Sequence, residues 1–165
     1  MSGSRLSKTV LSLIAAGAGA SVIATQLASE SEGVSLRAYQ DGARVWTICH
    51  GHTSGVKPGM TVTRDQCNAF LKTDMGHAFA ALDRIVHVPM SEPQRAGLAD
   101  FVFNVGEPAA AKSTLIRRLN AGDTRGACDE LSRWVIVAGK DCRKPANNCT
   151  GIPARRAQER ELCLL

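Results

Sequence analysis

Aromatic residues are scarce in this 165-residue sequence, since Phe, Trp and Tyr together make up 4% of it and Tyr occurs once. No basic segment rich in aromatic residues is present, which argues against an RNA-binding module. No C-x-x-C motif occurs, and His50-Gly51-His52 lacks a Cys or acidic neighbour at a usual ligand spacing, so no metal site or cofactor is predicted. Gly has no three-residue period and 44% of residues are hydrophobic, which excludes collagen-like and disordered chains.

Charged residues are missing from Thr9 to Ser29, a stretch of 21 residues. As a helix it would be about 31 Å long, roughly the thickness of the hydrocarbon core of a bilayer. Basic residues precede the stretch and acidic residues follow it, which predicts a cytoplasmic N-terminus and export of the remaining chain. Only seven of the 20 residues from Thr9 to Ala28 are large and apolar. We therefore expect a weak anchor that can leave the bilayer, with a permanent anchor or a signal peptide cleaved near Ala18-Gly19-Ala20 as alternatives.

This stretch divides the chain into an N-terminal signal-anchor segment, residues 1–29, and one exported domain, residues 30–165. Residues 30–111 carry a net charge of −2 and residues 112–165 carry +5. A basic C-terminal half predicts an anionic partner, unless the basic residues only solvate a helix face. Because export separates the domain from nucleic acid, an anionic polymer of the cell wall or envelope fits better.

Six cysteines are consistent with an oxidising compartment and allow 15 disulfide pairings. Cys142 and Cys149 lie in one loop, so a local bridge between them is the simplest pairing. Cys128 and Cys163 each fall on a predicted helix of the C-terminal half. That leaves Cys49 to pair with Cys67.

The patterning predicts an α+β fold that is mainly helical, with a small N-terminal β-hairpin lobe and a C-terminal helical bundle. Asp41-Gly42 is a hairpin turn signal, and the β-branched and aromatic residues of Val45-Trp46-Thr47-Ile48 indicate a strand. Thr63-x-x-Gln66 is a capping-box pattern at the start of a helix. Further helices are expected around residues 31–37, from residue 91 to Gly106, and over residues 113–119, 123–137 and 153–164.

Two carboxylates and a hydroxyl stand close together in the hairpin region. Glu32 and Asp41 are separated by eight residues, and Thr47 follows Asp41 after five more. Hydrolysis of a glycosidic bond needs one carboxyl group to protonate the leaving oxygen and one carboxylate to activate water or stabilise positive charge. The spacing alone is not specific, because such triplets also occur on ordinary surfaces.

The surroundings of the triplet make the pattern specific, because they resemble the lysozymes of T-even and lambdoid phages, glycoside hydrolase family 24. The similarity covers about residues 30–165, and the uncharged leader resembles that of the signal-anchor-release endolysins of lambdoid phages. The matching segments are Glu32-Gly33, Arg37-Ala38-Tyr39-Gln40-Asp41, Trp46-Thr47-Ile48-Cys49-His50-Gly51-His52, Phe101-Val102-Phe103-Asn104-Val105-Gly106, Ser113-Thr114-Leu115, Arg133-Trp134, Gly139-Lys140 and Gly151-Ile152-Pro153 with Arg155, Arg156 and Glu159.

The resemblance implies a muramidase that cleaves the β-1,4 bond between N-acetylmuramic acid and N-acetylglucosamine in bacterial peptidoglycan. It assigns Glu32 as the general acid, Asp41 as the base or water-positioning carboxylate, and Thr47 as the third member of the triad. Inversion at the anomeric carbon is implied as well.

Other residues receive supporting roles from the same resemblance. Arg155 is expected to orient Glu32, and His52 to pair with Asp74 as a scaffold contact. Asn104 matches a polar position of the cleft, where contact with substrate and capping of a helix end are both open.

The family implies no cofactor, a monomer, and export through the Sec machinery, with tethering to the host inner membrane by residues 9–29 before release into the periplasm. Residues 1–48 contain no cysteine, so we expect inhibition by displacement of Glu32 rather than by a blocking disulfide. A lytic transglycosylase and a non-catalytic, cationic wall-binding or envelope-disrupting protein are the alternative functions.

Overall fold

The computed structural model describes residues 3–165, and helices dominate this range. The N-terminal part contains α1 (Lys8–Ala15), α2 (Ala20–Ser31) and the antiparallel strands β1 (Ser35–Gln40) and β2 (Trp46–Cys49). The bundle that follows contains α3 (Arg64–Ile85), α4 (Glu92–Val105), α5 (Glu107–Ala111), α6 (Thr114–Asn120) and α7 (Thr124–Glu130). The chain ends with a short hairpin of β3 (Ile136–Val137) and β4 (Lys140–Asp141) and with α8 (Gly151–Cys163). This architecture confirms the predicted fold class.

The uncharged leader forms two helices in this structure. Ser7 caps the first through its hydroxyl, which accepts a hydrogen bond from the N–H of Val10 at 3.1 Å. Gly17, with φ of +72°, lies in the break between the two helices, where few other residues adopt this backbone conformation. Ile23 and Leu27 on the second helix are fully buried in the main core. Among residues 3–165, no helix is long and apolar enough to cross a membrane.

The bundle is organised around α4, which packs against α2, α3 and α8. Its N-terminus is capped by Ser91, and Phe101 on its buried face is fully enclosed. Gly97 lies at its closest approach to α8, since a Cβ atom there would be 2.8 Å from the carbonyl oxygen of Glu159 and 2.9 Å from Cβ of Leu162. α4 is therefore the scaffold that sets the positions of α2 and α8.

The hairpin lobe has a small core of its own, formed by Ile48 and the disulfide between Cys49 and Cys67. The disulfide joins β2 to α3. The capping box at the start of α3 is present, with Thr63 and Gln66 exchanging side-chain and backbone hydrogen bonds. The lobe is thus attached covalently to the bundle.

All three expected disulfides are present: Cys49–Cys67, Cys128–Cys163 and Cys142–Cys149. Two predicted helices were wrong in extent or type. Residues 35–37 belong to β1 rather than to a helix, because their backbone pairs with β2 and with residue 61. The helix expected over residues 123–137 ends at Glu130 and continues as a single 3₁₀ turn, and β3 follows, paired with β4 through the Gly139 turn.

Candidate active site

Glu32 is the residue that ends α2. Its backbone N–H donates to the carbonyl of Ala28 at 3.0 Å, and its own conformation is already extended. The side chain is 29% exposed, and its carboxylate accepts a hydrogen bond from Nη1 of Arg155 on α8. Glu32 therefore stands where the second leader helix, the hairpin lobe and the last helix meet.

Arg155 is held in place by a second carboxylate. Its Nε and Nη2 atoms donate to the two carboxylate oxygens of Asp100 at 2.9 and 2.8 Å, and both side chains are buried. Burial alone would lower the pKa of Arg155, but the negative charges of Asp100 and Glu32 outweigh burial and raise it. Asp100 on α4 thus fixes, through two hydrogen bonds, the guanidinium of Arg155 that contacts Glu32.

A second buried arginine lies beside this pair. Arg156 contacts the carboxylate of Glu159 and the side-chain carbonyl of Asn104, and its Nε donates to the carbonyl oxygen of Trp134 at 3.2 Å. Glu159 is completely buried, and its Oε1 has no hydrogen-bond partner within residues 3–165.

The cluster as a whole contains more acids than bases. Two arginines, Arg155 and Arg156, face three carboxyl groups, those of Glu32, Asp100 and Glu159. Burial raises the pKa of Glu159 well above its ordinary value. The nearby negative charge of Asp100 raises this pKa further, whereas the positive charges of Arg156 and Arg155 lower it. A proton on Glu159 removes one negative charge from the buried part of this cluster, where a charge that lacks a full set of partners is costly.

Asp41 and Thr47 lie in the hairpin lobe. Oδ1 of Asp41 accepts hydrogen bonds from the backbone N–H groups of Ala43 and Val45 at 2.8 and 2.9 Å, so this carboxylate stabilises its own turn. Thr47 is 3% exposed, and its hydroxyl donates to the carbonyl of Val45 at 3.0 Å. Both side chains therefore bond to the backbone of Val45, Asp41 from the turn and Thr47 from β2.

An open cleft of about 590 Å³ separates the lobe from the bundle. Glu32 and Asn104 line it, together with Asp74 on α3 and His50 in the lobe. Arg84 and Glu107 form a bidentate pair at its lip, with distances of 2.9 and 2.6 Å.

The structure brings several of the predicted residues together. Arg155 contacts Glu32, and Nδ1 of His52 lies 2.7 Å from Oδ2 of Asp74. Asp41 and Thr47 are not among the residues that line the cleft. No group of acidic, His and Cys residues suited to a metal ion exists in the part of the chain that the structure describes.

Three residues of this region were not predicted as site residues from the sequence. Asp100 carried a readable signal, because a lone charge inside the apolar run from Leu98 to Val102 must be buried and paired. Glu159 entered only as part of a helix motif. His50 carried no signal, since burial in a cleft wall is not visible in a short loop sequence.

Comparisons with known proteins agree with this geometry. Residues 29–159 match the family described as Phage lysozyme. The chain is 43% identical over 162 residues to a SAR-endolysin of Escherichia phage 933W, and 42% identical over 162 residues to a probable prophage lysozyme of Escherichia coli, covering 95% of this chain and 92% of each relative. A solved mutant of P22 lysozyme shares its fold with a TM-score of 0.70 and 33% identity, covering 86% of this chain and 95% of the other.

Proposed function

The chain belongs to the phage lysozyme family, and we propose which of its residues catalyse the hydrolysis of peptidoglycan and in which roles. It is a muramidase and an endolysin, which cleaves the β-1,4 bond between N-acetylmuramic acid and N-acetylglucosamine. Glu32 is the general acid. The observation that carries this assignment is its position in the cleft wall, in contact with an arginine that Asp100 holds from behind.

A general acid must deliver its proton along one direction, so its carboxyl group has to be oriented before substrate arrives. Arg155 supplies that orientation, because its other two hydrogen bonds go to a fully buried carboxylate. The 29% exposure of Glu32 leaves part of its carboxyl group open to the cleft. A sugar that fills the cleft would remove water from that face.

Asp41 is the base that acts on water, and Thr47 assists it. Oδ1 of Asp41 is occupied by two backbone N–H groups, and Oδ2 has no hydrogen-bond partner within residues 3–165. A free oxygen on an oriented carboxylate is suited to hold a water molecule. The inverting mechanism requires the carboxyl groups of Glu32 and Asp41 to be roughly 6.5 to 9.5 Å apart, so that water fits between them.

Residues 1–29 act as a signal anchor that controls this site, and the name SAR-endolysin of the 933W relative supports such a role. In the folded state the leader supplies part of the core, since Val10, Ile23 and Leu27 are fully buried there. The same residues cannot fill the core while they lie in a bilayer. Glu32, one residue beyond α2, would then be withheld from Arg155. Release completes both the core and the site.

Export through the Sec machinery, tethering to the inner membrane and release into the periplasm follow from this mechanism. We also propose that the released protein acts as a monomer. Its three disulfides suit the oxidising periplasm.

Replacing Glu32 by Gln tests the catalytic assignment, because the amide keeps the shape of the side chain and has no acidic proton to give. We expect Glu32→Gln to abolish wall hydrolysis in a protein that still folds, whereas the matched change Glu30→Gln, two residues earlier and exposed, leaves hydrolysis intact. A purely wall-binding or envelope-disrupting protein would stay active in both variants. Reducing ends of inverted configuration among the products identify the hydrolase, and 1,6-anhydro sugars would identify a transglycosylase.

Leader positions that are exposed in the folded state allow a separate test of release. Ser12, Ala16 and Ser21 are exposed there, so Leu, which itself contributes about 0.3 to 0.6 kcal/mol to membrane insertion, strengthens the anchor at these positions without disturbing the core. We expect the triple Leu variant to stay in the membrane fraction and to lyse cells slowly or not at all. Gln at the same positions is the control. Full lysis by a membrane-bound Leu variant would contradict the release mechanism.

A further inference from the structure

His50 lies at the tip of a tight loop that continues β2. Ile48 and His52 exchange two backbone hydrogen bonds of 2.8 and 2.9 Å, which leaves only Cys49, His50 and Gly51 in the loop. Cys49 and Gly51 both have positive φ, +59° and +92°. A loop this short, with both neighbours in a rarely populated conformation, gives the backbone of His50 one defined position.

The loop is also attached to α3 on both sides of His50. Cys49 is bonded to Cys67 through the disulfide. His52 is paired with Asp74 at 2.7 Å and is stacked on Phe70, with ring centroids 4.3 Å apart. These attachments fix the backbone on both sides of His50, as a binding site requires.

The imidazole of His50 is buried without a hydrogen-bond partner. The residue is 5% exposed, and neither Nδ1 nor Nε2 has a partner within residues 3–165. Leaving such polar atoms unpaired costs about 1 to 3 kcal/mol each. Yet His50 lines the same cleft as Glu32, so rotation of its ring would bring a nitrogen to a ligand in the cleft. We propose that His50 is a substrate-binding residue that contacts an acetamido group of the glycan.

The charges of the cleft favour a neutral group as the partner of His50. The cleft is lined by the carboxyl groups of Glu32, Asp74 and Glu107, which are paired with Arg155, His52 and Arg84. Arg84 is the one arginine or lysine among the described lining residues, so no unpaired cation of that kind is present to bind the carboxylates of the lactyl and peptide groups of peptidoglycan. An acetamido group is uncharged and offers an N–H donor and a carbonyl acceptor, either of which can pair with a ring nitrogen.

This inference rests on the proposed muramidase activity, and its test combines variants with altered substrates. His50→Leu removes both polar atoms, and His50→Gln retains a donor and an acceptor. The substrates are peptide-free glycan strands that are fully N-acetylated, de-N-acetylated at the glucosamine units alone, or de-N-acetylated throughout. We expect His50→Leu to raise KM about tenfold on acetylated strands with a smaller effect on kcat, and His50→Gln to restore part of the loss.

Comparison of the three glycan substrates identifies the acetyl group that His50 contacts. The difference between wild type and His50→Leu should vanish on strands that lack the contacted acetyl group, and the partly deacetylated strands tell glucosamine from muramic acid. An equal KM for all three proteins on acetylated strands, or an undiminished difference on fully deacetylated strands, would overturn the assignment. Failure of the wild type to cleave any strand would instead refute the muramidase function itself.

A spectroscopic measurement covers the case in which His50→Leu does not fold. In the Glu32→Gln protein, the ring nitrogens of His50 can be followed by ¹⁵N NMR and assigned by their loss in His50→Gln. Acetylated strands should shift these resonances at saturation, and fully deacetylated strands at equal occupancy should not. Unmoved ring nitrogens with bound acetylated strands would refute the contact.

Discussion

The buried carboxyl group of Glu159 predicts an unusual dependence of stability on pH. Its pKa is raised well above the ordinary value of 4.5 by burial, so the folded chain holds this proton more tightly than the unfolded chain. The stabilisation is therefore fully present below about pH 4.5 and is lost as pH rises towards the folded pKa. Each pH unit within that window lowers the free energy of unfolding by about 1.4 kcal/mol.

Replacing Glu159 by Gln isolates this contribution, because the amide resembles the protonated acid and does not titrate. Near pH 4.5 the variant should be close to wild type in stability. Towards neutral pH it should become the more stable protein, by about 1.4 kcal/mol for each pH unit inside the window. Its amide can still accept the hydrogen bond from Arg156.

Urea unfolding at a series of pH values, with the disulfides intact, measures the difference directly. The control is Glu161→Gln on the same helix, where the carboxylate accepts from the backbone N–H of Arg5 at 2.7 Å near the surface. If the stability difference between wild type and Glu159→Gln is the same at every pH, Glu159 has the same pKa in the folded and unfolded states. Burial would then not raise the pKa of this carboxyl group.

Two further predictions concern packing and covalent links. Gly97→Ala should lower the free energy of unfolding by about 1 to 3 kcal/mol in urea titrations, because the added Cβ atom would clash with α8. Gly76→Ala, with open space around the added atom, should raise this free energy by about 0.5 to 1 kcal/mol. Equal effects of the two substitutions would refute the close contact at Gly97. Removing the Cys128–Cys163 disulfide, with a sequence separation of 35, should cost about 4 kcal/mol, and removing Cys142–Cys149, with a separation of 7, about 2 kcal/mol. The reverse order in calorimetry would contradict this chain-entropy account.

Local signals in the sequence identified much of the fold. The Thr63 capping box, the Asp41-Gly42 turn and the cap at Ser91 all predicted element boundaries, because each depends on hydrogen bonds within a few residues. The first half of β1, residues 35–37, was mistaken for a helix, because its conformation is imposed by pairing with β2 rather than by its own residues. Long-range pairing is what local patterns do not contain.

The site was predictable to a different degree. Glu32 and Arg155 were singled out through a family pattern, and spacing alone did not bring together residues 123 positions apart. Asp100 and Glu159 complete their surroundings only because α4 and α8 are packed side by side. The unpaired state of His50 likewise depends on what the rest of the fold places around it.

The weak hydrophobicity of the leader has a cause in the folded domain. Ala20, Ala24 and Ala28 recur every four residues on α2 and are at most 3% exposed, which lets α2 pack closely into the bundle. Large residues at these positions would make a stronger anchor, but they would overfill the core and displace Glu32 from Arg155. The packing of the active enzyme therefore limits how apolar the leader can be. On the proposed release mechanism, the same limit keeps its escape from the bilayer possible.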